Sequence, residues 1–295
     1  MSADIGDLFR EVTTMIASGR MFNEIPTPYI VTAILILILF LGFFGQSYDL
    51  PPEPGSAKAA QDIRNIPDGS KVMILVNYGP EGRYELETGL ASLITVLAKK
   101  EVGIVFASLI PQGIESTSLA VEKSISKINF RKQGYFYGKN YVQLGYLAGG
   151  SISAAMMTGD IENYRREDIF GNKLRDLPVM NGVFSLKDLS AVIEFSSVKI
   201  EGVPGIVFFT VFNRKSETPS IAVCTSDMVS DYVAFADSGS ITSLVQGMKG
   251  IVSFEKILSG DSESASRFFS SVGVLWLVFL LILAGNIGKL LRKKK

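Results

Sequence analysis

The sequence predicts an α/β fold class: a doubly wound, mainly parallel, three-layer domain flanked by two transmembrane helices. Three observations lead to this prediction. Short apolar runs alternate with amphipathic segments across residues 71–258, two charge-free apolar runs lie outside this region, and polar or proline-rich segments separate the parts. A helix needs roughly 17–25 apolar residues to cross a bilayer, and the runs at 29–45 and 272–288 are close to this length.

Seven parts are predicted, and their boundaries follow from changes in composition. The apolar side chains of the first part recur at helical spacing, so this segment is expected either to lie in the membrane interface or to dock on a partner. Three prolines early in the third part interrupt any helix there and predict an extended stalk. In chain order the parts are an amphipathic N-terminal segment (1–28), a first transmembrane helix (29–45), a proline-rich stalk (46–70), the α/β domain (71–258), a hinge (259–271), a second transmembrane helix (272–288) and a basic cytoplasmic tail (289–295).

The elements of the α/β domain are predicted from the period of their apolar residues. Strands are predicted at 72–77, 102–110, 141–146, 189–195, 206–212 and 221–225, and helices at 85–100, 114–128, 149–157 and 241–258. The polar segment 159–187 predicts a surface excursion or a helical insert. Because the strands are apolar throughout, they fit a parallel sheet that is covered on both faces. Right-handed crossovers then give a Rossmann-like or flavodoxin-like layer structure.

The distribution of charge indicates partners and topology. Basic and acidic residues number 29 each, so the chain has no broad basic field, and nucleic acid is not an expected partner. By the positive-inside rule, the basic residues after the second run place the tail in the cytoplasm, and they also suit anionic lipid head groups. We therefore expect a two-pass protein of the cell membrane, with cytoplasmic termini and an extracytoplasmic α/β domain. These basic residues are Lys289, Arg292, Lys293, Lys294 and Lys295.

The absence of histidine removes several classes of chemistry. A Ser-His-Asp triad, a Cys-His pair and a histidine-containing zinc site all require that residue. Cys224 is the single cysteine, so no intrachain disulfide can form, and its place at a strand end predicts a buried and inert thiol. Asp227 and Asp231 are four residues apart, which suits a cation but is more typical of a helix cap and a solvated residue. No cofactor and no metal site is predicted.

Candidate ligand-binding residues follow from position, because ligands of open α/β sheets bind beyond the carboxyl ends of the strands. The glycine turn at 145–151 favours either an anion at a helix N-terminus or a tight turn with Ser151 as the cap. Glu85 suits acid–base work, but carboxylates are also common in the first turn of a helix. The candidates are Asn77, Tyr78, Glu85, Gly145, Tyr146, Gly149, Gly150, Ser151 and Asp227, and the same rule points to Ser108, Gln112, Glu194, Ser196, Thr225 and Ser226.

Two functions from different classes are consistent with these observations. The first is a membrane-anchored binding or scaffold module that faces outward, with the lipid bilayer and either a membrane-protein partner or a second copy of the chain as partners. The second is an enzyme or ligand-binding domain that takes a phosphorylated or carboxylate ligand at the strand ends. We expect the first, because no residues of the sequence form a recognisable catalytic constellation.

Overall fold

The computed structural model describes residues 51–128, 130, 134–212 and 218–292, together with residue 36. In this part of the chain six parallel strands form one sheet in the order β3-β2-β1-β4-β5-β6. This is the Rossmann order, and it differs from the flavodoxin-like order. The strands are β1 (Lys71–Asn77), β2 (Gly103–Ser108), β3 (Tyr141–Tyr146), β4 (Ala191–Ser196), β5 (Ser220–Cys224) and β6 (Ser243–Gln246).

Helices connect the strands and cover both faces of the sheet, which confirms the doubly wound α/β prediction. Alternate residues of β4 point to opposite faces, because Ile193 and Phe195 join one buried apolar cluster and Val192 joins the other. The helices are α1 (Pro54–Asn65), α2 (Pro80–Lys99), α3 (Gly113–Lys127), α4 (Ser151–Gly159), α5 (Ile161–Tyr164), α6 (Gly205–Phe212), α7 (Val229–Asp237), α8 (Gly247–Ser259) and α9 (Ser264–Arg292). Residues of α1, α2, α3 and α8 enter the first cluster, and residues of α4, α6 and α7 enter the second.

The strand predicted at 206–212 is wrong, because this segment forms the helix α6 (Gly205–Phe212). Its Val, Ile and Phe residues favour a strand when they are considered alone. Two parallel neighbours, however, need a crossover connection, and the chain between β4 and β5 supplies it with this helix. The packing of α6 against the sheet therefore overrides its local preference.

Two other boundaries also differ from the predictions. The helix predicted at 241–258 is wrong at its beginning, because residues 243–246 form the last strand, β6, before α8 starts. The extended stalk predicted to continue to residue 70 is wrong where Pro54–Asn65 forms α1. A proline is tolerated in the first helical turn, and the Glu53 carboxylate caps the helix by accepting from the amides of Gly55 and Ser56. The buried face of α1 includes Ile63.

The structure does not support the predicted transmembrane helices. In the described part of the chain, no helix combines the length and the apolar character that crossing a membrane requires. The predictions for 1–28 and 29–45 lie outside the described residues, apart from residue 36, and so do Lys293, Lys294 and Lys295. Residues 272–288, Lys289 and Arg292 lie in α9. Among the described residues, 51–264 form one compact unit, and residues 265–292 belong to another.

Candidate functional site

The carboxyl ends of β1 and β4 border the point at which the strand order reverses. The chain runs outward from β1 to β2 and β3, and it then places β4 on the other side of β1. Ligands of open α/β sheets bind in the crevice at this switch point. The strand register pairs Asn77 with Ser196 and Leu75 with Glu194, so Asn77 lies beside a glutamate of the neighbouring strand.

Glu194 is fully buried and accepts hydrogen bonds from four groups. The Asn77 amide Nδ2 donates to Oε1 over 2.6 Å, and the Tyr232 hydroxyl donates to Oε2 over 2.9 Å. The backbone amides of Gly205 and Ile206, at the start of α6, also donate to this carboxylate. Three separate segments of the chain, β1, α6 and α7, therefore converge on one side chain of β4.

Burial decides the ionisation of this network. It raises the pKa of the Glu194 carboxyl, and the four hydrogen bonds oppose that rise without cancelling it. Burial and the adjacent Glu194 raise the pKa of Tyr232 well above its usual value, so the Tyr232 hydroxyl remains a donor. The N-terminus of a helix attracts anions, and at α6 the Glu194 carboxyl takes that position.

Asn77 also closes the neighbouring turn after β2. Its Oδ1 accepts from the backbone amide of Leu109 over 2.8 Å. The Ser108 hydroxyl bonds to the carbonyls of Val76 and Ile110 at 2.6 and 2.7 Å. Tyr78, the next predicted candidate, points into the apolar core, where burial raises the pKa of its hydroxyl. These contacts hold the end of β1 in place through the protein's own groups.

The predicted glycine turn leads directly into α4. Gly150, which precedes the helix, has a φ of +49°, a conformation that favours glycine. No side chain caps the helix, so the prediction that Ser151 is the cap is wrong. The Ser151 backbone amide instead donates to Oε1 of Glu201 over 3.4 Å. A carboxylate of this chain therefore also meets the N-terminus of α4.

The predicted candidate Glu85 and the nearby Glu81 are both hydrogen-bonded within the protein. Because α2 begins at Pro80, Glu85 lies in its second turn, where its Oε2 accepts from the Ser226 amide and hydroxyl at 3.0 and 2.8 Å. Oε1 of Glu81 accepts from the Gly79 amide and the Ser197 hydroxyl, each at 2.8 Å. Partial burial works against ionisation of Glu81, but these hydrogen bonds lower its pKa overall.

The other predicted residues are dispersed. Asp227 lies in a short 3-10 helix after β5, while Asp231 forms an ion pair of 3.1 Å with Lys199. Burial raises the pKa of the Cys224 thiol to about 12, which fits a thiol with low reactivity. Tyr146 is partly exposed at the end of β3. Across the residues that the structure describes, no three acidic or cysteine side chains group closely enough to hold a metal ion.

A shallow recess lies beside the end of β3, and no space inside it is large enough to hold a water molecule. Binding sites for drug-sized ligands usually enclose about 300–1,000 Å³, so this recess does not form such a site. Its lining is formed by Phe106, Ala107, Ser108, Ile114, Thr117, Gln143 and Gly145.

The structure brings Asn77 together with Glu194, Glu85 with Ser226, and Ser151 with Glu201. The roles of Tyr232, Gly205 and Glu201 were missed by reasoning from the sequence. One signal was present, because Glu194 is the single charged residue in the apolar strand β4, and a buried charge needs polar partners. Nothing in the sequence identified those partners.

Comparisons with known proteins give no assignment: no protein-family description, no curated protein and no solved structure matches this chain.

Proposed function

We propose that this chain is a membrane-anchored binding or scaffold module without catalytic activity of its own. The observation that carries the proposal concerns the backbone amides at the carboxyl edge of the sheet. Carboxylates of the chain itself already accept hydrogen bonds from these amides. Glu194 accepts from the start of α6, Glu201 from the start of α4, and Glu81 from the amide that precedes α2.

This arrangement disfavours the ligands that the fold usually takes. A phosphate or carboxylate entering the crevice would have to displace an internal carboxyl group, and it would be repelled by the Glu81 carboxylate, the pKa of which is lowered overall. The same argument weakens the alternative of an enzyme acting on a phosphorylated or carboxylate ligand. Glu85, the proposed acid or base, is hydrogen-bonded to Ser226.

The anchoring and location in this proposal rest on the sequence. The charge-free runs at 29–45 and 272–288 support attachment to the cell membrane, and the basic residues after the second run support cytoplasmic termini. The α/β domain is then extracytoplasmic, with the lipid bilayer and a membrane protein or a second copy as partners. Protease added to intact cells should cleave the central domain. Protection of that domain would contradict this location.

A thermal-shift experiment tests the binding proposal. The full chain in mild detergent is heated with nucleotides, sugar phosphates and small carboxylic acids, and we expect no concentration-dependent rise in Tm. The Glu201→Ala variant frees the Ser151 amide and should gain a measurable rise with inorganic phosphate. The matched variant Glu162→Ala, which removes an exposed carboxylate close to the end of α4, should not.

Two results would contradict the proposal. One is a saturable rise in the Tm of the unaltered chain with any of these ligands. The other is turnover of a phosphorylated substrate that disappears in the Glu85→Gln variant.

A further inference from the structure

The polar segment that follows α8 is bound to the domain by its own side chains. Residues 260–264 read Gly-Asp-Ser-Glu-Ser, so the segment contains no apolar side chain that could fix it to the core. Two of its residues are nevertheless buried, since Ser262 and Ser264 are 4% and 0% exposed. We call residues 260–264 the strap.

A buried carboxylate holds the inner side of the strap. Glu255 of α8 is fully buried, and its Oε2 accepts from the Ser262 hydroxyl at 2.7 Å and from the Ser264 amide at 3.0 Å. Its Oε1 accepts from the Ser264 hydroxyl at 3.0 Å, and that hydroxyl also contacts the hydroxyl of Thr88 on α2. The strap is therefore hydrogen-bonded to both α8 and α2.

Ion pairs hold the outer side of the strap. Glu263 pairs with two lysines of α3, with Lys123 in close contact and with Lys127 at 3.2 Å. Partial burial raises the pKa of Glu263, but the two lysines outweigh burial and lower this pKa overall, so the carboxylate is charged at neutral pH. The Glu263 side chain is 42% exposed, and ion pairs that meet the solvent are weakened by salt.

The kind of contact that holds the strap indicates a low cost of local opening. Segments with few apolar contacts and many exposed polar contacts open at a lower free energy than the core that supports them. Each hydrogen bond or exposed ion pair of the strap adds only modestly to stability, because water replaces it on opening. The domain itself is held by two continuous clusters of buried apolar side chains, which opening of the strap leaves in place.

We propose that residues 260–264 form a releasable strap, which opens while the rest of the α/β domain stays folded. Opening frees five residues, which span about 17 Å when fully extended. The inference rests on the proposed membrane anchoring, because the freed residues would lengthen the connection between the domain and the apolar run at 272–288. The strap would then set how far the binding module reaches, with the longer form favoured at high salt.

Hydrogen exchange of the full chain in mild detergent tests the inference. The measurement compares a peptide that includes residues 260–264 with a peptide that includes the buried strand β1. Salt is raised from about 0.1 M to about 1 M, so that the Debye length falls from roughly 10 Å to roughly 3 Å. We expect exchange at the strap to become roughly fivefold faster, while β1 stays protected at both salt concentrations. Exchange of the strap only together with β1 would overturn the inference, since it would show that the strap opens only in global unfolding.

Three variants separate the two sides of the strap. Glu263→Gln removes both ion pairs, so it should speed exchange at low salt by roughly fivefold and should abolish the dependence on salt. Glu122→Gln is the matched control, because it removes an exposed carboxylate of α3 that is adjacent to Lys123 in the sequence, and it should change neither property. Ser262→Ala removes one hydrogen bond to Glu255, so it should speed exchange and preserve the dependence on salt. Strap exchange that responds neither to salt nor to Glu263→Gln would also overturn the inference.

The two proposals can fail separately. Cleavage by protease at the surface of intact cells does not depend on the strap, so a protected domain would overturn the proposed location and leave the exchange result intact. A strap that opens only with β1 would overturn this inference alone, and the membrane-anchored binding module would stand.

Discussion

Replacing Glu194 by alanine should destabilise the protein strongly. The substitution removes the acceptor for two side-chain donors, Asn77 and Tyr232, and for the two amides at the start of α6. Each buried donor left without a partner costs about 1–3 kcal/mol, and water entering the vacated space should recover part of this. We therefore expect the free energy of unfolding to fall by about 3–5 kcal/mol.

The assay is urea unfolding of the full chain in mild detergent, followed by far-ultraviolet circular dichroism. Glu122→Ala is the control, because Glu122 is exposed on α3, and it should change the free energy of unfolding by less than about 0.5 kcal/mol. A loss below about 1 kcal/mol for Glu194→Ala would refute the reasoning, since it would mean that the four donors find other partners at little cost.

The pH dependence of the Glu194→Gln variant gives an independent test. A carboxyl whose pKa is raised by folding binds its proton more tightly in the native state, so its contribution to stability is fully present below the unfolded pKa of about 4.3 and is lost as pH rises. Glutamine has no proton to lose, so the variant should gain stability relative to the unaltered chain as the pH rises above about 4.3. Parallel stability profiles over this range would contradict the raised pKa of Glu194.

Three further predictions concern single positions. Gly205→Ala should lower the Tm, because the new Cβ would lie 2.6 Å from the buried Glu194 carboxylate, and an unchanged or higher Tm would be the contrary result. Glu255→Ala should lower the free energy of unfolding in urea by about 2–4 kcal/mol, because the buried Glu255 carboxylate accepts three hydrogen bonds from the serines that follow α8. The control Glu122→Ala should lower it by less than about 0.5 kcal/mol. Asp168→Asn should remove a loss of stability that the unaltered chain shows as pH falls through and below about 4. Burial of Asp168 raises its pKa, but hydrogen bonds from Asn172, Tyr137 and Phe170 outweigh burial and lower the pKa overall. Melting curves at about pH 3 and about pH 7 would show whether this acid sensitivity persists.

The sequence by itself determined the α/β class of the central domain and much of its sheet. The strands β1, β3, β4 and β5 lie within one or two residues of their predicted positions, because a strand buried on both faces needs a continuous apolar run that local inspection detects. The position rule also placed Asn77 at the crevice. Composition alone excluded histidine-dependent chemistry, because the chain contains no histidine.

The tertiary structure alone decided the rest. An apolar segment of eight residues fits a strand or a helix equally well, and only the crossover between β4 and β5 made α6 a helix. In the same way, β6 became a strand because it pairs with β5. The crevice depended on the fold most of all, since Glu194 meets Asn77 and Tyr232 across 117 and 38 residues of sequence. The periodicity of apolar residues indicates which face of an element is buried. It does not indicate which polar groups from distant parts of the sequence will be buried beside that face.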